Sequence, residues 1–162
     1  MKLLMISGDR SILSEQRGAF WYTLQEMRKH WDRIDVICPR ARKIRNSELP
    51  KNVFFHPCPW GLLRQSLWIE EKGKQLISEH HHNVMTVHEY PPFYNGRGAL
   101  RLHKKTGIPF ALEIHHIVGW PVSSGFVEWF GRELSRWVLP FEARRAGSVR
   151  TVSSVIEEEL RH

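Results

Sequence analysis

The chain has 162 residues, of which 41% are hydrophobic and 25% charged, and this predicts one folded domain and excludes a disordered chain. Its formal net charge of +7 favours anionic partners, such as nucleotide phosphates or the inner face of a membrane. There is no nucleic-acid recognition motif, and no apolar run is long enough for a signal-peptide core or a membrane span, which predicts a cytoplasmic protein with peripheral membrane contact left open.

The amino-terminal quarter has the pattern of a strand, a helix and a second strand. Residues 2–7 form a continuous apolar run, as expected for a strand covered on both faces. Between residues 18 and 31 apolar side chains recur at steps of three and four, which predicts a helix with one buried face. Residues 33–39 form a short, mostly apolar segment that ends at a proline. Together these elements predict a βαβ unit with a right-handed crossover and parallel strands.

The same alternation continues along the rest of the sequence. Further strands are predicted at residues 52–56, 83–88, 109–115 and 148–153, and helices at residues 62–79, 95–105, 126–139 and 141–146. Gly107 is the predicted stop of the helix at 95–105, and Pro140 separates the last two helices. The fold class is therefore predicted as α/β, with an open, mostly parallel sheet and helices on both faces.

Histidines follow two of the predicted strands, at the point where each strand ends. His88 is followed by Glu89, and His115 by His116. Because ligands bind outside the carboxyl ends of the strands in such sheets, we expect both pairs at one edge. His88, oriented by a neighbouring carboxylate, could take a proton from a hydroxyl nucleophile. Packing of this imidazole beneath the following prolines is the structural alternative.

A glycine opens the first predicted helix. Gly18 could let a ligand approach free backbone N–H groups at a helix terminus that favours anions. A glycine that simply fits a tight turn is the alternative, and no dinucleotide or P-loop motif is present.

Two further groups of side chains have structural as well as functional interpretations. The run of histidines at residues 80–82 is expected to be a solvated helix end, and without a metal-binding motif no metal site is predicted. Four tryptophans lie in or near helices that also carry Arg and Lys. They are expected to be core residues, with an amphipathic membrane face as the alternative: Trp60, Trp68, Trp129 and Trp137.

Four segments together follow the pattern of one enzyme family. The strand at residues 2–7, the loop to Gly18 and the long helix are similar to its start. V-H-E-Y-P at residues 87–91 resembles its H-x-H-E-P strand end, although Tyr90 separates the glutamate from the prolines, and A-L-E-I-H-H at residues 111–116 resembles its next strand. V-R-T-V-S at residues 149–153 resembles its V-x-x-V-S. The chain thus resembles the amino-terminal domain of a GT-B glycosyltransferase of the retaining family 4.

This resemblance implies a single Rossmann-like domain over residues 1–162, the acceptor-side half of an enzyme that moves a sugar from a nucleotide-sugar to a hydroxyl acceptor. The donor-binding carboxyl-terminal domain would lie outside this sequence or on a partner chain. The chain alone is therefore expected to show no turnover, because positioning two substrates needs both halves of the cleft. The resemblance implies no cofactor, since the nucleotide-sugar is a co-substrate.

The resemblance also implies roles for individual residues. His88 would be the catalytic residue that contacts the transferred sugar or the acceptor. Two residues would lie near the donor phosphates, Arg17 and Gly18. The acceptor pocket would contain Glu89, His115 and His116.

Two other functions stay open from the residues alone. One is a non-enzymatic basic α/β module that binds anionic membrane lipid or a protein partner. The other is a metal-using hydrolase built on His88, His115 and His116.

Overall fold

Six parallel strands form one open sheet in the computed structural model, which describes residues 1–9, 11–14, 18–41, 51–90, 93–115, 124–151 and residue 157. The sheet order is β3-β2-β1-β4-β5-β6, and every neighbouring pair is parallel. The strands are β1 Lys2–Ile6, β2 Arg33–Cys38, β3 Val53–Pro57, β4 Val84–Glu89, β5 Phe110–Ile114 and β6 Ser148–Thr151.

The strand order reverses direction between β1 and β4. From β1 the chain adds β2 and β3 on one side, and from β4 it adds β5 and β6 on the other. This is the Rossmann-like arrangement, so the predicted open, parallel α/β fold is confirmed. Such a reversal leaves a crevice outside the carboxyl ends of the two central strands, which is where these folds bind ligands.

Four α-helices connect the described strands, and two short 3-10 turns precede the first two helices. The helices are α1 Ala19–Met27, α2 Gln65–His80, α3 Tyr94–Thr106 and α4 Phe126–Ala143, and the turns are Ser11–Ser14 and Leu62–Arg64. Side chains of α2, α3 and α4 share one buried cluster with one face of the sheet, and α1 packs on the other face. This distribution follows from right-handed crossovers in a sheet that grows in both directions.

The predicted apolar stripe of the first helix packs as its spacing indicates. Phe20 and Leu24 are buried against the sheet, and Met27 and Trp31 pack partly buried beside them. The predicted stop at Gly107 is also confirmed: this residue has a φ of 74° and closes α3 by donating its N–H to the carbonyl of His103. A residue with a Cβ adopts that left-handed conformation at a cost, which explains the glycine.

The predicted break at Pro140 is wrong. A single helix, α4, runs from Phe126 through Pro140 to Ala143. Proline lacks an N–H and removes one intrahelical hydrogen bond, but it does not prevent the helix from continuing. Leu139 and Glu142 are buried on either side of it, so packing against the rest of the protein holds both parts in one helix.

The histidines after α2 also differ from the prediction. His81 is exposed, but the side chain of His82 is fully buried, with its Nε2 2.8 Å from a carboxylate oxygen of Asp35. The other Asp35 oxygen lies 2.7 Å from His56 Nε2, and Arg33 forms an ion pair with the same carboxylate. The buried Asp35 carboxylate of β2 therefore connects to β3 through His56 and to the segment after α2 through His82.

Two of the predicted core tryptophans are not core. Trp68 packs partly buried against the main cluster, but 79% of Trp137 and 44% of Trp129 are exposed on α4. Within the described part of the chain, no helix is both long enough and apolar enough to cross a membrane.

Candidate functional site

A cavity of about 480 Å³ opens at the point where the strand order reverses. Its walls come from the residues that follow β1, from the carboxyl ends of β4 and β5, from β6, and from the first turns of α1. Its volume lies within the usual range for small-molecule sites, roughly 300–1,000 Å³. The sheet geometry therefore places the cavity where a ligand of this fold is expected.

Four polar side chains form a row at the carboxyl ends of the strands, and three of them, His88, Glu113 and Arg150, line this cavity. The strand pairing sets His88 of β4 beside Glu113 of β5, and Glu113 beside Arg150 of β6. Ser7 follows Ile6, which pairs with Val87, so Ser7 extends the row on the other side of His88. Because side chains of a strand alternate between faces, these residues share the face that α1 covers.

Both ring nitrogens of His88 have partners in this row. Its Nε2 lies 3.1 Å from Glu113 Oε2, and its Nδ1 lies 3.4 Å from the Oγ of Ser7. When Nε2–H donates to the carboxylate, Nδ1 accepts a hydrogen bond from the serine hydroxyl. That hydroxyl also accepts the backbone N–H of Asp9 at 3.1 Å. The orientation of the imidazole is therefore fixed from both sides.

Glu113 is the centre of the row. Its Oε2 is 3.1 Å from His88 Nε2, 3.5 Å from His115 Nε2 and 3.5 Å from Arg150 Nη1. Burial would raise the pKa of Glu113, but the hydrogen bond and charge of His88, the hydrogen bond of His115 and the charge of Arg150 outweigh burial, so its pKa lies below the usual range. The Glu113 carboxylate is therefore ionised at neutral pH, with the positive charge of Arg150 beside it.

His115 is the most accessible of these histidines. Its side chain is 52% exposed, compared with 18% for His88, and the two rings are 5.0 Å apart between centroids. Phe20 of α1 contacts His88 edge-on at 5.7 Å and supplies an apolar wall. A ligand in the cavity would meet His115 and the Glu113 carboxylate against an aromatic surface.

Glu89 lies on the opposite face of the sheet from His88. The residue borders the cavity, but its carboxylate is buried and accepts the N–H groups of Tyr90, at 2.9 Å, and Gly96. The expectation that Glu89 orients His88 is wrong, because successive residues of a strand point to opposite faces. The carboxylate that contacts His88 is that of Glu113 on the neighbouring strand.

The remaining predicted site residues have different placements. Gly18 is the exposed residue before α1; it does not border the cavity, although Ala19, the next residue, does. Arg17 and His116 lie outside the described residues. The roles assigned to all of these residues stay predictions.

Three residues of the site were not singled out from the sequence: Ser7, Glu113 and Arg150. Because side chains alternate along β5, the sequence does indicate that Glu113 lies on the same face as His115. The contact with His88 depends on the register between β4 and β5, which the local sequence does not define.

Within the described ranges, one group of side chains could hold a metal ion. His88, Glu113 and His115 each offer a ligand atom, and these atoms all lie within 4.8 Å of one another. Two imidazoles and a carboxylate are a ligand set that suits zinc. The Arg150 guanidinium, 3.5 Å from the same carboxylate oxygen, opposes a cation there. That no metal is needed stays a prediction.

Comparison with known proteins identifies the fold. No protein-family model matches the chain, and no curated protein is similar to it in sequence. Solved structures do match. Among them are the UDP-GlcNAc 2-epimerase from Methanocaldococcus jannaschii, with a TM-score of 0.59 and 16% identity, and that from Neisseria meningitidis bound to UDP-GlcNAc, with a TM-score of 0.57 and 13% identity.

These epimerases have a GT-B-like fold, and the Rossmann-like sheet of this chain matches part of it. Each alignment covers 99% of this chain but only 42% of the epimerase, so the chain spans about two fifths of the length of these structures. The predicted Rossmann-like fold is therefore confirmed by its match to proteins with a GT-B-like fold. Membership of glycosyltransferase family 4 does not follow from this likeness.

Proposed function

We propose that the chain is the acceptor-side domain of a retaining glycosyltransferase, which moves a sugar from a nucleotide-sugar to a hydroxyl acceptor. The observation that carries this proposal is the ionised Glu113, held by His88, His115 and Arg150 on the floor of the cavity at the strand reversal. Neighbours in fold that are named for UDP-GlcNAc chemistry support a nucleotide-sugar as one substrate.

The charge of Glu113 suits the chemistry of glycosyl transfer. Breaking a glycosidic bond develops positive charge on the sugar in an oxocarbenium-like transition state. A fixed carboxylate in a partly buried cavity stabilises such charge more than water does. A carboxylate of lowered pKa is a weak base, so we assign Glu113 to charge stabilisation and to hydroxyl binding, with no role as the main proton acceptor.

The two histidines then have distinct parts. His115 is exposed enough to contact the acceptor hydroxyl directly. His88 uses both nitrogens inside the protein, so it would hold Glu113 in position and contact the sugar with its ring edge. This keeps His88 in the site, as the resemblance implies, and adds Glu113 as the charged partner.

The donor phosphates would lie on the side of the cavity formed by the start of α1. Ala19, Phe20 and Thr23 of this helix border the cavity, and the backbone N–H groups of a first helical turn favour anions. Gly18 directly precedes that turn, which supports a place for Gly18 near the phosphates; the place of Arg17 there stays a prediction. The donor-binding domain would supply the remaining contacts, in a longer or a partner chain.

A different hydrolase, one with a serine nucleophile, has less support from the geometry. Ser7, His88 and Glu113 have the order of a serine, a histidine and an acid, but Ser7 is fully buried and does not border the cavity. A nucleophile must reach the substrate, so Ser7 is assigned to positioning His88.

The proposal is tested by ligand binding to the chain itself. Isotopically labelled protein is titrated with methyl glycosides of common hexoses and, separately, with UDP and UDP-GlcNAc, while histidine ring and backbone signals are followed by NMR. A glycoside should shift the signals of His115 and Glu113. Glu113→Gln should weaken this binding about tenfold or more, as expected for loss of a charged hydrogen bond.

Glu71→Gln is the matched control, because Glu71 is an exposed glutamate on α2. It should leave glycoside affinity unchanged. If no glycoside shifts these signals, the acceptor-side assignment is wrong. Shifts with UDP-GlcNAc but with no free glycoside would favour chemistry on the nucleotide-sugar itself, as in the epimerases, over transfer to an acceptor.

A further inference from the structure

One helix of the protein presents a large apolar surface to solvent. On α4, 76% of Phe126, 81% of Val127 and 79% of Trp137 are exposed. Three more large side chains of the same helix are exposed by between 44% and 56%: Trp129, Phe130 and Phe141. Single exposed apolar residues are ordinary, but a contiguous group of this size marks a contact surface.

The aromatic side chains of α4 lie on the side of the helix that faces away from the protein. The inner side carries the buried Ser135, Leu139 and Glu142, and Leu134, Val138 and Ala143 pack partly buried against the main cluster. A helix on the surface of a folded domain normally turns its apolar stripe to the core and its polar face to water. Here the aromatic stripe faces outward, which indicates that something apolar covers it when the protein functions.

The outward residues form a continuous stripe. Phe126, Phe130, Trp137 and Phe141 are separated by steps of four, seven and four residues, which places them within an arc of about 60°. The stripe is roughly 22 Å long, at 1.5 Å per residue. The stripe is therefore an extended surface along one side of the helix and not a pocket for a single side chain.

Positive charge borders the stripe. Residues 126–145 contain four arginines and three glutamates; Glu142 is buried and Glu133 pairs with Arg132 and Arg136, so the positive charge beside the stripe lies at its carboxyl end. The guanidinium of Arg145 lies over the ring of Phe141, 3.6 Å from its centroid, and Arg144 beside it is exposed. The chain as a whole has a net charge of +7. An apolar strip with arginines at its edge fits a surface that combines acyl chains with phosphate groups.

We propose that α4 docks this domain on an anionic membrane surface, with the aromatic stripe in the boundary between headgroups and acyl chains and the arginines at lipid phosphates. The helix lies in the membrane plane and does not span it. This proposal does not rest on the glycosyltransferase assignment, because it uses only residues of α4 and of the turn that follows.

The test is co-sedimentation of the 162-residue chain with vesicles. One set contains phosphatidylcholine alone and the other contains 30% phosphatidylglycerol, each at low and at high salt. The chain should bind the anionic vesicles, bind neutral ones much less, and lose affinity as salt rises. Trp137→Ser should weaken binding about tenfold, since burying a large apolar side chain at the interface contributes that much. Arg145→Glu should weaken it by about the same factor.

Leu63→Ser is the matched apolar control, because Leu63 is 84% exposed but lies in the turn before α2. It should leave vesicle binding unchanged. Trp137→Phe provides a second measurement that does not threaten folding. It should keep binding but reduce the quenching of tryptophan fluorescence by lipids that carry bromine on their acyl chains.

Three outcomes would overturn the proposal. The first is no binding to anionic vesicles. The second is binding that Trp137→Ser leaves intact. The third is a concentration-dependent dimer that Trp137→Ser abolishes while vesicles have no effect, which would assign the stripe to a second copy of the chain.

Discussion

Replacing Glu142 by glutamine should reduce the loss of stability that we expect for this protein as pH rises. Glu142 of α4 and Glu89 of β4 are both buried beside Gly96, where a methyl group would collide with both carboxyl groups. Burial raises the pKa of Glu89, and the backbone N–H groups of Tyr90 and Gly96 offset this only in part. Burial and the neighbouring charge of Glu89 raise the pKa of Glu142.

The sign of the effect follows from these directions. The unfolded chain releases both protons near the ordinary glutamate pKa, whereas the folded protein retains at least one of them well above it. Stability from this pair is therefore complete at acid pH and is lost as pH rises through the raised pKa values. Each retained proton makes the free energy of unfolding fall by about 1.4 kcal/mol per pH unit, or roughly 3–5 °C in Tm for a domain of this size.

The assay is thermal unfolding, followed by circular dichroism at pH 6, 7, 8 and 9. The unaltered protein should lose Tm steadily over this range, and Glu142→Gln should flatten the loss. Glu133→Gln, which removes a partly exposed glutamate of the same helix, should leave the slope as it is. A variant lacking the Glu142 carboxyl that keeps the full slope would refute the reasoning.

Three other substitutions test the packing. Asp35→Asn should lower the free energy of unfolding by about 3–5 kcal/mol in urea titration, because it leaves buried hydrogen-bond donors facing an amide, while the exposed Asp32→Asn should have little effect. Gly96→Ala should cost about 1–3 kcal/mol by the same measurement, and a value near zero would show that the two carboxyl groups are not packed there. Pro140→Ala should add about 1–2 kcal/mol, since it restores a helical N–H; lower stability would indicate that α4 is broken at this residue.

The strands were predictable because each is a local feature of the sequence. The apolar runs of β1 and β2 and the alternation around them are complete within a few residues, and their order along the chain is typical of crossovers of one hand. The spacing of Phe20 and Leu24 identified the buried face of α1 for the same reason. Fold class therefore followed from short-range pattern.

The features that the sequence did not predict depend on distant contacts. Glu113 and His88 are 25 residues apart in the sequence. The register of β4 and β5 brings them into contact, and no local motif encodes that register. The helix α4 continues through Pro140 because Leu139 and Glu142 are buried against the rest of the protein. The spacing of the aromatic residues on α4 predicts a stripe, but it does not say that the stripe faces away from the sheet.

The measurement that tests the central assignment most directly is a set of intermolecular NOEs from a bound methyl glycoside. If the cavity at the strand reversal is the sugar site, the sugar protons should show NOEs to the rings of Phe20 and His115. NOEs to Trp137 alone, or a sugar that contacts neither ring, would contradict it.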